Sequence, residues 1–416
     1  MNCDNKIEKI ARFSFDTFDS LQKTGKPKIN EWTVLSCIIQ EEDSHFKTVA
    51  LGTGSKCIGK NKMSNKGDIL NDSHAEVICR RAFLLYLYEQ MENTLEDTNT
   101  IFVFDSNLMK YNLKPNIKFH FFTTLMPCGD ANIFPKNEEN NFNVGDLILD
   151  KERELNSSGK RPLDGGALMN IKRQKCINGD IFRTGAKCLD CDEIQDVREA
   201  GVGYHVTGVV RTKPGRGDPT LSVSCSDKLA KWCHLGLQGA LISILLKEPI
   251  YLSSFNVTCN TPYSEESLQR AFFDRLKHVG MIFPYKKSHL IFKQATQSVF
   301  SFQKNEQKEV CPSSIIWFKS EKLNQKHVEV AVGGRKQGIT KKNQNFPSSR
   351  LQVCKLELFK RFLALYGNFS DKFSKLTYRQ CKEEAVTYQK NWNILKKELR
   401  VWPKKERNLL EFSLND

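Results

Sequence analysis

From Trp32 to Thr124 the chain alternates between two hydrophobic periods, and this alternation constrains its fold more than any other feature. Trp32 to Ile39 and Thr48 to Thr53 are short β-branched runs joined by the polar tip Glu41-Glu42-Asp43, which predicts two linked strands. From Ser73 to Glu89 the apolar residues take helical spacing, behind Asn71, Asp72 and Ser73, residue types that cap helix starts. Ile117 to Thr124 (IKFHFFTT) reads as a buried strand running into the turn at Met126-Pro127. Strand and helix in alternation predict a layered α/β core. Residues 4–22 precede it as a helix, with Asp4 as N-cap, one apolar face (Ile7, Ile10, Ala11, Phe15, Phe18, Leu21) and the breaker Gly25-Lys26-Pro27.

Residues 136–200 depart from this pattern. They are rich in Asn, Lys, Asp and Gly, lack a period, and read as a partly disordered surface insertion. Regularity returns with the strand-like run from Gly203 (GYHVTGVV) and a glycine-punctuated loop, Lys213 to Thr220. A largely buried helix is expected from Ser226 to Leu246. Further strands are expected around 253–259, 289–292, 314–319 and 328–332, and helices over 351–366 and 378–399.

Composition narrows the function. The longest apolar stretch, Gly239 to Leu246, is far short of the ~20 residues that span a bilayer, so no membrane is expected. The N-terminal residues contain no apolar run of signal-peptide type. Fourteen cysteines in 416 residues fall well below the roughly 8–10% of disulfide scaffolds. An intracellular chain is expected, in cytoplasm or nucleus, with cysteines serving as core residues, ligands or catalysts. Lys and Arg number 63 against 48 Asp and Glu, a net charge of +15, which favours a polyanionic partner, most often nucleic acid. A small neutral substrate such as a free nucleoside needs no such field.

Three short segments carry chemistry: His74-Ala75-Glu76, Pro127-Cys128-Gly129-Asp130 and Ser224-Cys225-Ser226-Asp227-Lys228. His-x-Glu at a helix start is half of the zinc nucleobase-deaminase signature, whose usual second half is Pro-Cys-x-x-Cys. No cysteine stands three residues after Cys128, so the second thiolate must come from elsewhere, and Cys225 is the best candidate. One imidazole and two thiolates give zinc three ligands and leave a tetrahedral position for water. Glu76 is then placed to move protons between that water, a ring nitrogen and departing ammonia.

The strings LNDSHAEVICRR, TLMPCGDANI, RTKPGRGDPT, SVSCSDKLAKW and LGLQGALIS resemble the adenosine-to-inosine RNA deaminases. The likeness covers almost the whole chain and weakens only in the insertion. It implies a cytidine-deaminase-like three-layer core, a mixed sheet between helices, enlarged by C-terminal helices around a buried polyanion. It also implies one deaminase domain over residues 1–416. Zinc is implied on His74, Cys128 and Cys225, with Glu76 as proton shuttle. The implied polyanion is inositol hexakisphosphate, held by Arg80, Arg81, Lys228, Lys231, Lys355, Tyr378, Lys382, Tyr388, Trp402 and Lys405. Trp392 departs from the pattern, standing where the editing enzymes have a lysine. Asp72 and Lys213 are the implied relay between polyanion and zinc, and Ser55 matches a position near the substrate ribose.

Within this family the likeness is to the branch that acts on tRNA, at the adenosine beside the anticodon, position 37 of tRNA-Ala. The deaminase-like region begins near residue 1, so no separate duplex-binding modules are expected. The loop Gly215-Arg216-Gly217 carries arginine where the editing enzymes place a glutamate that fills the gap of a base pulled from a duplex. An anticodon-loop adenosine is already unpaired, so most of the unstacking cost of a few kcal/mol falls away. Arginine suits pairing with phosphate or stacking on a base. The rival readings are a deaminase of duplex RNA and a catalytically inactive RNA-binding relative. The lone Cys188…Cys191 pair is not assigned a metal, because no second pair stands at finger spacing. Lys160-Arg161 and Lys172-Arg173-Gln174-Lys175 have the form of a bipartite nuclear signal. Lys341, Lys342 and Arg350 read as solvated cations. Replacing Arg216 with alanine is expected to raise the KM for tRNA; unchanged kinetics on full-length tRNA would contradict this role.

Overall fold

The computed structural model describes residues 3–96, 98–136, 180–189, 205–215, 218–323 and 328–414. A mixed sheet forms its centre. β1 (Leu35–Glu42) and β2 (His45–Thr53) are a hairpin whose turn holds Asp43 and Ser44 at positive φ. They are followed by β3 (Ile117–Thr123), β4 (Ser254–Val257), β5 (Ile291–Gln294), β6 (Ser314–Phe318), β7 (Glu329–Val332) and β8 (Arg335–Lys336). The order across the sheet is β5-β4-β3-β1-β2-β6-β7-β8. β3, β4 and β5 are mutually parallel, and the remaining neighbours are antiparallel.

Strand alternation distributes the core between two faces. Leu35, Cys37 and Ile39 of β1, with Phe122 and Ile315, pack against Ile7, Ile10, Ala11 and Phe18 of α1 (Cys3–Ser20). Ile38, Phe119 and Phe121 join the opposite face with Ile78, Ala82 and Phe83 of α2 (Ala75–Leu95). Each apolar side chain so removed from water contributes about 1.5–3 kcal/mol before entropy is counted. The expected α/β layering is therefore present, with helices on both faces of the sheet. Gly52 brings α2 close: a Cβ there would lie 2.5 Å from the Cys79 nitrogen and 2.6 Å from the Ala75 oxygen.

Several expectations need correction. The segment 226–246 is not one helix but α3 (Cys225–Leu235) and α4 (Gly239–Leu245), because Gly236 and Gly239 both take φ of 74°. After α5 (Glu265–Phe272), the helix expected over 351–366 begins later, as α6 (Lys355–Gly367). The helix expected over 378–399 is divided at Glu384-Ala385 into α7 (Tyr378–Glu383) and α8 (Val386–Glu398). The run from Gly203 is not a strand where it is described; only Arg211–Thr212 is extended, paired with Lys187–Cys188. Residues 180–189, read as part of a surface insertion, belong to the core region: Ile181–Phe182 pairs with Phe134–Pro135, and Cys188 is buried. The basic clusters at 160–161 and 172–175, and Cys191, lie outside the described residues.

No described helix is long and apolar enough to cross a membrane. Replacing Gly52 with alanine must push α2 off the sheet, at an expected cost of about 1–3 kcal/mol. A lowered urea midpoint checks this; an unchanged midpoint would contradict the close packing.

Candidate active site

The site is assembled where α2 and α3 begin. Asn71, Asp72 and Ser73 do not cap α2 as expected. Asp72–His74 is instead a short strand paired with Ser55–Cys57, and His74 occupies the N-cap position without a side-chain cap. The Asp72 carboxylate turns back and accepts hydrogen bonds from the His74 backbone N–H at 3.0 Å and from Nδ1 at 2.9 Å. With Nδ1 so engaged, Nε2 is the nitrogen left to face a ligand.

Cys128 lies in the loop after β3, and Cys225 is the first residue of α3. The Cys225 N–H donates to Cys128 Sγ at 3.3 Å, and the Cys128 sulfur also hydrogen bonds with the His74 ring. Ser226 fastens the loop to the helix, its N–H and Oγ both donating to the Cys128 carbonyl, at 3.0 and 2.9 Å. Gly129 makes room for this clasp, at φ 102° and with Ser224 Oγ only 2.2 Å from where a Cβ would stand. The hydrogen bond from the Cys225 thiol and the nearby Lys213 ammonium hold Cys128 well below the usual thiol range, against burial. Among the described residues no three such side chains stand at metal-holding spacing; these three are in serial contact, a thiolate hydrogen bonded to a thiol and an imidazole.

Glu76 is in the first turn of α2 and 4% exposed. Burial, then the charge at Cys128, pushes its carboxyl up from the ordinary range. Lys213 joins the parts: its ammonium is 3.1 Å from Cys225 Sγ and 2.8 Å from Asp72 Oδ2. Lys228, expected among the polyanion contacts, also ion-pairs with Asp72 and donates to Ser222 Oγ at 2.6 Å. Burial alone would raise the Asp72 carboxyl, but Lys213, Lys228 and His74 hold it well below the ordinary range. Ser55 stands opposite His74 in the short ladder. Gly215 lies in the loop after Lys213, while Arg216 and Gly217 fall outside the described residues.

Beside this centre is a cavity lined by Arg81, Lys228, Lys355 and Lys405, with Asp72 in its wall. The helix interruptions supply its anchors. Arg80 Nε donates to the Leu237 carbonyl at 2.7 Å, in the break between α3 and α4, where a Cβ on Gly239 would lie 2.6 Å from the guanidinium. Arg81 Nε donates to the Val353 carbonyl at 2.5 Å, in the non-helical stretch before α6. Lys231 lies 3.8 Å from the Trp392 ring centre and 5.7 Å from that of Tyr388. Lys382 lies over Tyr378 at 5.3 Å, and Trp402 packs edge-on against Trp392 at 4.7 Å. Burial and mutual repulsion hold Lys231 and Lys355 well below the ordinary lysine range and Arg80 at about 10. Lys405 is an exposed residue that also lines the cavity, and burial there with repulsion from Lys228 and Lys382 brings it to about 8.

Sequence reasoning missed the supports. Ser224 caps α3 by accepting from the Asp227 N–H at 3.2 Å, and Asp227 is bound by Arg275 at 2.6 Å. Asp130 is held by Arg270 and accepts from the Gly208 N–H. Thr184 accepts the Gly129 N–H at 2.9 Å from the segment assigned to the insertion. Ser224 and Asp227 were legible as a capping pattern; the arginine partners, distant in sequence, carried no local signal.

The family pattern of the adenosine-deaminase (editase) domain matches residues 50–406, and the chain belongs to that family. It is 34% identical to the tRNA-specific adenosine deaminase 1 of Drosophila melanogaster, over 99% of this chain and 98% of that one. The human protein of the same name is 32% identical, over 94% and 96%. The double-stranded RNA-specific adenosine deaminase of Mus musculus is 28% identical, over 94% of this chain and 31% of its own.

The cage predicts a pH dependence of its own. An unfolded lysine titrates near 10.5, whereas Lys405 titrates at about 8 and Lys231 and Lys355 are also lowered, so the unfolded chain binds more protons. Stability then rises with pH. Protein stripped of anions is expected to gain Tm from about pH 7 to about 8.5, and added polyphosphate to flatten that rise. A stripped protein whose Tm falls over this window would contradict the cage.

Proposed function

We propose that the chain is a zinc-dependent hydrolytic deaminase that converts adenosine to inosine in tRNA, at position 37 beside the anticodon of tRNA-Ala. The observation that carries this reading is the contact series of half-buried His74 and Cys128 with buried Cys225, and buried Glu76 in the adjoining helical turn. The donor chemistry fits zinc, since His74 offers Nε2, Cys225 opens α3 and its N–H reaches the Cys128 sulfur, so both sulfurs meet the partial positive charge of one helix N-terminus, which favours thiolates. Bound there, zinc supplies the Lewis acidity that makes water a nucleophile near neutral pH.

The chain's own groups do the rest. Glu76 takes a proton from the attacking water and passes it to the purine ring nitrogen, then carries one to the amine as the C6–N bond breaks and ammonia leaves. Its raised carboxyl pKa suits both directions of transfer. Asp72 fixes the His74 ring, and Lys213 neutralises charge at Cys225. The cations around Arg80, Arg81, Lys231, Lys355 and Lys405 are the reason to place inositol hexakisphosphate in the cage, with Tyr378, Lys382, Tyr388 and Trp402 around it. Their repulsion needs a multivalent anion, and burying unpaired charge costs several kcal/mol per ion. Ser55, Gly215, Arg216 and Gly217 are assigned to the RNA. Greater identity to the tRNA-specific relatives than to the duplex-specific one supports tRNA as substrate.

Two substrates test the reading. Recombinant chain is expected to form inosine in tRNA-Ala and not in a long RNA duplex; inosine in the duplex alone would assign it to the other branch. Glu76→Gln is expected to lower the rate by at least ~10²-fold with zinc still bound. Undiminished deamination in that variant would overturn the mechanism.

A further inference from the structure

The turn after Cys57 and the loop after Lys213 both grow from the walls of the site. Ser55–Cys57 is paired with the His74 strand, and Lys213 touches Cys225. Beyond the site the two loops are joined. Asp218 Oδ2 accepts the Asn61 N–H at 2.9 Å, and the Pro219 carbonyl accepts the Lys60 N–H at 2.8 Å. The Asp218 side chain lies directly over Gly59, where a Cβ would come within 2.0 Å of its carboxylate. Thr220 closes the loop's base by donating to the Lys213 carbonyl at 2.6 Å. A third segment is tied in through the Lys60–Glu406 ion pair at 2.8 Å, next to Lys405 of the cage.

The clasped turn is cationic. Lys60, Lys62 and Lys66 are exposed, and among the described residues Lys62 and Lys66 form no ion pair. Asp218 accepts from the Asn61 backbone N–H and ion-pairs with neither Lys62 nor Lys66, its charge acting instead on Lys60, so it fixes the turn while those two ammonium groups stay without an ion-pair partner among the described residues. A cation held at a fixed place loses less entropy on meeting a phosphate than one on a free loop. Backbone phosphates are the partner such charges fit, and base edges are not required for it.

We infer that the Gly59–Lys66 turn is a second RNA-contact surface, a rim that takes backbone phosphates beside the target nucleoside, and that Asp218 is its positioning residue. The inference rests on the RNA-deaminase reading above, but its test reads binding rather than deamination. Full-length chain carrying Glu76→Gln is titrated with tRNA-Ala over a range of salt. Replacing Lys62 and Lys66 with alanine is expected to weaken binding and to reduce the slope of log K against log salt by about 1 for each phosphate left without its cation. Asp218→Ala is expected to weaken binding about tenfold at low salt and to reduce the slope similarly, with zinc content unchanged. Asp218→Asn, whose amide oxygen still accepts from Asn61, is expected to restore binding.

Unchanged affinity and slope in Asp218→Ala would overturn the inference. So would an Asp218→Asn variant as weak as the alanine one, because the clasp would then not act through the accepted hydrogen bond. A parent chain that binds tRNA-Ala with the expected slopes while the unsubstituted protein makes no inosine would count against the deaminase reading alone.

Discussion

A buried carboxylate between two ammonium groups and an imidazole organises this molecule. Asp72 is 5% exposed and meets Lys213, Lys228 and His74 at once, with Ser222 Oγ donating to the same oxygen as Lys228. Removing such charges from water costs several kcal/mol each, which only good geometry and further hydrogen bonds offset. Deleting one partner leaves the others stranded, so the cluster is kept whole or lost whole. Its members come from the strand before α2, the loop after Thr212 and the first turn of α3. The hub therefore sets the relative placement of elements far apart in the chain, the separation of Asp72 and Lys213 being 141 residues. The same carboxylate orients His74 toward the thiols and forms a wall of the cation cavity.

The cation cluster shows how local irregularity positions buried charges. Continuous helices from Ser226 to Leu246 and from Leu351 onward would keep the Leu237 and Val353 carbonyls in their own ladders. Interrupting those helices frees both carbonyls, and each accepts an arginine Nε from α2. Of the two, Arg81 lines the cavity, while the Arg80 guanidinium lies at Gly239 and over the Trp232 ring. A folded state built around mutually repelling cations is stabilised by whatever anion binds it and not the unfolded chain. Trp392 lies under the Lys231 ammonium, 3.8 Å from its ring centre, and so answers one charge without adding another.

Legibility in the sequence followed the range of the physical signal. The β1–β2 hairpin, α1, α2 and β3 were readable because periodic burial is written in consecutive residues. Residue type and spacing also singled out His74, Glu76, Cys128 and Cys225, and the fold brings the segments that carry them together where α2 and α3 begin. What was lost depended on partners far along the chain. The helix expected from Ser226 to Leu246 runs through Gly236 and Gly239, whose positive φ breaks it, and at Gly239 the Arg80 guanidinium fills the space a Cβ would take. Asn71 to Ser73 looked like caps, but pairing with Ser55–Cys57 drew Asp72 and Ser73 into a ladder. Residues 180–189 looked like surface from composition, yet Thr184 holds the Gly129 turn and Ile181 is buried.

X-ray absorption at the zinc edge of the purified chain tests the central claim most directly. The expected spectrum is that of one zinc with two sulfur neighbours at about 2.3 Å and nitrogen or oxygen neighbours near 2.0 Å. Both sulfurs should be retained in Glu76→Gln and one lost in Cys225→Ser. A four-sulfur shell, or a metal whose sulfur count ignores Cys225, would contradict it.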